Sequence, residues 1–232
     1  MPARPRECVA RVTTTRALTP DVLEVDLAMV EPATLAFDAG QWVSVPLGPK
    51  TVRAYSIASS PRAPALITLC ADVAPGGIGS AWFRGLRPGQ DVRFKGPLGG
   101  FVLDPGDARR LVLVAEEIGI VPIRAIAGEL AAAGFERATT LVYWARDPGW
   151  LVHDAELRTL ARRHPRFAYH PVVRAGGDGA RSEAAPTVDA LVTDVTALVA
   201  YVAGGEATIN AVRAVLTGKG LERKAVKWEK FW

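Results

Sequence analysis

The stretch Leu103-Asp104-Pro105-Gly106-Asp107-Ala108-Arg109-Arg110-Leu111-Val112-Leu113-Val114-Ala115 separates two kinds of sequence. Pro105, Gly106 and Asp107 break regular structure, whereas Leu111–Ala115 is an unbroken apolar run of the kind a strand buried on both faces needs. Downstream, strand and helix signals alternate. A helix is expected over Val121–Ala133, a strand over Thr140–Trp144, an amphipathic helix over His153–Arg163, strands over Phe167–Val173 and Ala197–Val202, and a helix over Ala207–Leu216. That alternation predicts a parallel, doubly wound α/β sheet covered on both faces. Arg174–Pro186, rich in Gly and Ala, reads as a mobile loop.

Upstream the pattern is all strand and turn. Short β-type runs occur at Cys8–Arg16, Val22–Ala28, Gln41–Leu47, Val52–Ala58, Ala65–Val73 and Asp91–Lys95, divided by clusters of Pro, Gly and Asp. Only one helix, Ser80–Leu86, interrupts them. Six such strands predict an antiparallel Greek-key β-barrel. The expected organisation is two domains, 1–104 and 105–232, with the boundary within Leu103–Arg110.

A length of 232 residues supports two modest cores, and 49% hydrophobic with 22% charged residues reads as globular. No apolar run approaches the roughly 20 residues that span a bilayer. The first residues lack the apolar stretch of a secretory signal, so a cytoplasmic location is expected. Cys8 and Cys70 are the only cysteines. A [2Fe–2S] cluster of the plant type needs four thiolates, so the chain cannot hold one by itself; core thiols are expected, with a disulfide as the alternative. His153, His164 and His170 show no metal-ligand spacing, and no metal is expected. A net charge of +4 favours acidic partners, while no dense basic run argues for nucleic acid.

Chemistry concentrates in the first hundred residues. Arg53-Ala54-Tyr55-Ser56 lies in an expected strand, which puts Arg53 and Tyr55 on one face and Ser56 on the other. An aromatic face, a guanidinium and a hydroxyl together suit a flavin: the ring stacks, the fork meets a pyrophosphate, and the hydroxyl bonds near the ring nitrogens. Gly76-Gly77-Ile78-Gly79-Ser80 opens the short helix, where free N–H groups favour an anion and Ser80 is expected as the cap. Gly96-Pro97-Leu98-Gly99 ends the barrel region in a turn. Singly, each has a bland alternative as a solvent-facing strand or an ordinary turn.

In their order and spacing, these three motifs resemble the ferredoxin–NADP⁺ reductase superfamily, and the resemblance runs to the C-terminus. It implies FAD as the prosthetic group, contacted across Arg53, Ala54, Tyr55, Ser56, Gly76, Gly77, Ile78, Gly79 and Ser80. It also implies that 1–104 binds FAD and that 105–232 is of the NAD(P)-binding type. Where the family has Gly-Gly-Thr-Gly-Ile-x-Pro to cradle the NADH or NADPH pyrophosphate, this chain has Glu116-Glu117-Ile118-Gly119-Ile120-Val121-Pro122. Gly119 and Pro122 fit, and the two carboxylates depart. Like charges about 4 Å apart repel by about 4 kcal/mol at an effective dielectric near 20, so an inward Glu117 would oppose nucleotide phosphates. Where the family has Cys-Gly-Pro-Pro, this chain has Ala203-Gly204-Gly205-Glu206, keeping only Gly204.

The ending, Glu229-Lys230-Phe231-Trp232, resembles the family's Glu-x-aromatic, in which the acid assists proton and hydride movement and the ring lies by the flavin. Ser56 and Glu229 are the candidate catalytic residues. Phe231 matches the aromatic, and Trp232 lies over the flavin as a gate; the alternative is that Trp228, Phe231 and Trp232 anchor the tail in the core. Arg146, after the second parallel strand, is the candidate for a 2′-phosphate and hence for NADPH. The expected activity is FAD-dependent electron transfer between NAD(P)H and a separate acceptor: a ferredoxin, a flavodoxin, an oxygenase component or free flavin. Two alternatives stay open: an FAD-binding electron-transfer subunit with a degenerate nicotinamide site, and a non-enzymatic flavin-binding assembly or sensor protein.

Overall fold

The computed structural model describes residues 4–173 and 182–231. The chain divides into two compact units, Met1–Leu103 with Arg124–Glu129, and Asp104–Ile123 with Leu130–Trp232.

The first unit is a six-stranded antiparallel sheet: β1 (Arg6–Ala17), β2 (Val22–Glu31), β3 (Trp42–Gly48), β4 (Thr51–Ser56), β5 (Leu66–Asp72) and β6 (Asp91–Leu98), in the order β4-β3-β6-β1-β2-β5. Period-two alternation builds its core: Cys8, Ala10 and Val12 of β1, Val43 and Val45 of β3, and Val92 and Phe94 of β6 all point inward. The outer strands meet again, because Ile57, just past β4, bridges to Leu69 of β5. That bridge curls the sheet towards a barrel. One helix, α1 (Ile78–Gly85), lays Phe83 into the core. Gly99 takes φ +94, and a Cβ there would lie 2.5 Å from the Trp42 indole nitrogen, so the turn after β6 requires glycine on both counts.

The second unit is a five-stranded, wholly parallel sheet: β7 (Arg110–Glu116), β8 (Thr139–Ala145), β9 (Phe167–Val173), β10 (Leu198–Gly204) and β11 (Val226–Lys230), in the order β11-β10-β7-β8-β9. Its helices are α3 (Asp154–Arg163), α4 (Ala184–Leu191) and α5 (Glu206–Gly218), together with the two ends of α2 (Ile120–Ala132), whose Arg124–Glu129 stretch belongs to the first unit. Val112, Val114, Val142, Ala200 and Val202 pack on α4 and α5 in one cluster. Leu111, Leu113 and Ala115 are equally buried on the opposite face, so β7 is covered on both sides. The fold class matches the two-domain expectation from the sequence.

Two expectations need correction, and one strand was not expected. The segment expected as a loop through Pro186 becomes helical at Ala184; Pro186 sits in the first turn of α4, where a missing N–H costs nothing. Residues 174–181 of that segment lie outside the described residues. Val226–Lys230, which carries no strand signal in the sequence, forms β11 along the edge of the sheet. Finally, α1 starts two residues before Ser80: Gly77 is its cap position, and Ser80 is a buried residue inside the first turn. No helix among the described residues is long and apolar enough to cross a membrane. Cys8 and Cys70 are free, buried thiols.

Candidate functional site

In the barrel unit, β3 and β4 pair in the register Val43↔Tyr55 and Val45↔Arg53, which sends Arg53 and Tyr55 to the same face and buries Ser56. Both meet the start of α1 at Gly79. Tyr55 Oη donates to the Gly79 carbonyl at 3.5 Å, and a Cβ on Gly79 would stand 3.1 Å from Tyr55 Oη and 3.5 Å from Arg53 Cγ. Glycine at 79 is thus what lets the helix start approach the two side chains. Tyr55 stacks on Trp82 at 5.4 Å and 29°, and tilts against Phe83 at 5.4 Å. Burial pushes its phenol up to about 12, with Arg53 opposing. Arg53 is exposed and donates Nη1 to its neighbour Val52's carbonyl at 2.9 Å. The α1 cap position, Gly77, brings no side chain to bond the first N–H groups, and the space beside it is open. Gly76, at φ +70, makes the turn into Gly77. Ala54 is exposed beside these groups, and Ile78 is the first residue of the helix.

The second unit handles its polar groups differently. Beyond β7 the backbone makes one turn of 3-10 helix, Glu117–Gly119, with Glu117 at φ 48. The chain keeps a conformation suited to glycine at a position where the family has glycine. A Cβ on Gly119 would lie 2.3 Å from the Ala203 carbonyl oxygen, so this turn touches the end of β10 as closely as a glycine allows. Pro122 follows in the first turn of α2.

Neither carboxylate is loose. Glu116 is buried; its Oε2 accepts from the Gly205 N–H and its Oε1 from the Thr208 hydroxyl, both at 2.7 Å. Gly205 is the cap position of α5, so Glu116 caps that helix from another strand. A Cβ on Gly204 would fall 2.7 Å from Glu116 Cβ, so the glycine makes room for the crossing. Burial raises the Glu116 carboxyl above its usual value; the bonds to Thr208 and Gly205 pull it back, and Glu117 pushes it further up. A cavity of about 510 Å³ lies beside it, lined by Glu116, Ser182, Ala185, Ala207, Thr208 and Ala211 among others.

Glu117 is held by Arg146, whose Nε donates to Oε1 at 2.6 Å and whose Nη2 donates to Oε2. The guanidinium lies 4.0 Å over the Trp150 ring. Trp150 is placed by a turn that Asp147 caps through Gly149 N–H at 2.8 Å, and its carbonyl accepts from Tyr143 Oη at 3.0 Å. The sequence expectation of Glu117 set against phosphates therefore missed its cation, and the fork of Arg146 is already engaged. At the tail, Glu229 is in register with Ala203, and Phe231 N–H donates to the Gly204 carbonyl at 3.1 Å. The Ala203-Gly204 segment and the tail thus run side by side. Trp228 is half exposed, under Arg213, and is no core anchor. Trp232 lies outside the described residues, and with it both readings of that ring.

Residues 9–103 match the family model described as "Oxidoreductase FAD-binding domain". Ferredoxin–NADP reductase B of Sorangium cellulosum is 30% identical, covering 96% of this chain and 96% of its own length. The chain belongs to the ferredoxin–NADP⁺ reductase superfamily. Within this superfamily, terephthalate 1,2-dioxygenase reductase component 2 of Comamonas sp is 30% identical over 95% of this chain and 67% of its own. The solved Amycolatopsis cytochrome P450 reductase GcoB superposes with a TM-score of 0.88 at 26% identity, covering 98% of this chain and 70% of that one. The protein is a flavin-dependent oxidoreductase that moves electrons through FAD to or from a separate redox partner.

Trp150 and Thr208 were missed in the sequence. The Asp147-Pro148-Gly149 turn signal could have flagged the first. The second carried no local signal, because its partner Glu116 is 92 positions away.

Proposed function

We propose that the barrel unit holds FAD through Arg53, Tyr55 and the Gly76–Ser80 turn. NADH or NADPH docks at the carboxyl ends of the parallel strands, and the acceptor is a ferredoxin, a flavodoxin or an oxygenase component. The observation that carries the reading is the approach of Arg53 and Tyr55 to Gly79 at the uncapped start of α1. Guanidinium, helix N–H groups and an aromatic face form a donor set that suits a pyrophosphate joined to a flat ring. FAD, when bound, takes two electrons as a hydride and gives them up singly.

The chain's own residues bind, orient and move protons. Arg53 and the N–H groups of Ile78 and Gly79 balance the pyrophosphate charge, Tyr55 offers its ring, and Ala54 and Ser56 offer backbone and hydroxyl groups. In the second unit, Gly119, Pro122, Gly204 and Phe231 shape the coenzyme's seat, and Glu229 holds a proton. The oxygenase reductases among the relatives and the net charge of +4 support an acidic electron-carrying partner. The test is the visible spectrum of the purified protein, followed by anaerobic addition of NADH or NADPH. A flavin spectrum that bleaches supports the reading, and a colourless protein that FAD cannot reconstitute sinks it.

One observation favours a second reading. Glu116 fills the α5 N-terminus and Glu117 fills the Arg146 fork, as a nucleotide site closed from within would have them. An electron-transfer subunit of that kind would bind FAD and be bleached by neither coenzyme.

A further inference from the structure

In a doubly wound dinucleotide site, the residue beyond the second strand meets the adenosine ribose. An acidic group there accepts from the 2′-hydroxyl, whereas an arginine takes a 2′-phosphate. Arg146 stands one residue past β8, so alone it would select the phosphorylated coenzyme. It is not alone. Glu117 occupies the two-pronged face of its guanidinium, the geometry a phosphate would otherwise take, and Trp150 covers the flat face at 4.0 Å.

We propose that Glu117 and Arg146 form a coenzyme selector that accepts NADH and turns away NADPH. This rests on the reading above that a nicotinamide coenzyme docks on this sheet. A 2′-phosphate reaches the guanidinium only by displacing Glu117. The Glu117 side chain is 9% exposed, against 43% for Arg146, so the displaced carboxylate stays largely out of water beside a second anion. A 2′-hydroxyl displaces nothing, because each carboxylate oxygen keeps a further lone pair to accept it. The backbone adds a second argument: Glu117 sits at φ 48, where glycine is favoured, and the chain carries a carboxylate there nonetheless.

Calorimetric titration of the flavin-loaded protein with NAD⁺ and with NADP⁺ tests this without turnover. Wild type should bind NAD⁺ about tenfold or more tightly than NADP⁺. Glu117→Gln should shrink that ratio about tenfold, about 1.4 kcal/mol, mainly by tightening NADP⁺. Glu117→Gly, which suits the backbone at this position, should act in the same direction and guards against a folding defect in one variant. A wild-type preference for NADP⁺, equal affinity for both, or a ratio unmoved by both substitutions overturns the selector alone. Failure of both nucleotides to bind, with the flavin spectrum intact, defeats the coenzyme reading and the selector with it.

Discussion

The starts of α1 and α5 present the same problem, a set of backbone N–H groups without intrahelical partners, and the two units solve it in opposite ways. At α1 the cap position is Gly77, which brings no side chain, and the neighbouring Arg53 is exposed. At α5 the cap position is again a glycine, Gly205, but Glu116 reaches across from β7 to bond both Gly205 N–H and Thr208. The same contrast holds for the arginines, since Arg53 bonds a neighbouring carbonyl whereas Arg146 is forked onto Glu117. A site that leaves its donors open suits an anionic group that stays bound. A site whose donors already hold internal carboxylates suits a visitor that must compete and can leave. Prosthetic flavin and exchangeable coenzyme differ in that way.

The largest effect should come from removing the open arginine. Arg53→Ala should weaken FAD binding by roughly 1.5–3 kcal/mol for each charge-assisted bond lost, at least tenfold in dissociation constant. Fluorescence titration of the apoprotein with FAD reads this, and unchanged affinity would place the cofactor elsewhere. Next in size is Gly119→Ala. Its Cβ would meet the Ala203 carbonyl oxygen at 2.3 Å, a backbone atom with little room to give, and overpacking of this kind costs about 1–3 kcal/mol. Urea denaturation followed in the second unit should show that loss, and the equivalent Gly79→Ala should cost less, because the Tyr55 side chain at 3.1 Å can yield.

Much of this was legible beforehand, and the misses have physical causes. The strand pattern of β1 to β6 and the apolar run of β7 could be read from residue periodicity, because burial on one face or two leaves a direct trace. Pro186 looked like a breaker because its place in the first turn of α4 depends on where the helix begins. Val226–Lys230 carries three charged residues in five, which suits an edge strand but hides it from a search for apolar runs. At the candidate flavin site, the order and spacing of the motifs picked out Arg53, Tyr55 and Gly79, which the fold brings together. The charges of Glu116 and Glu117 were visible; their partners were not, since Gly205 and Arg146 lie 89 and 29 positions away.

Smaller effects separate the two carboxylates. Glu116→Ala should cost about 1 kcal/mol through the lost cap of α5. Glu116→Gln can keep both bonds, accepting from Gly205 N–H and donating to Thr208, so its effect should depend on pH. Burial raises the Glu116 carboxyl in the folded state. Its contribution to stability is therefore complete below the unfolded value and is lost as pH rises through the folded one. Relative to wild type, the glutamine variant should gain stability from pH 4.5 to pH 8, as measured by thermal melts; a gain in the reverse direction would contradict the assigned environment. The smallest expected change is in the stability of Glu117→Gly. Relief of a left-handed residue, about 1–2 kcal/mol, is offset by loss of the pair with a half-exposed arginine and by the flexibility of glycine. Melting should move by no more than a few degrees.

The most direct test of the contrast between the two units is an anaerobic titration of the purified protein with NADH, following the visible flavin absorbance. The account predicts protein isolated with FAD and bleached by about one equivalent of NADH, since a hydride carries both electrons the flavin accepts. Retained flavin that dithionite reduces but neither NADH nor NADPH bleaches would contradict it, and would mean that the internal carboxylates close the second site instead of yielding it.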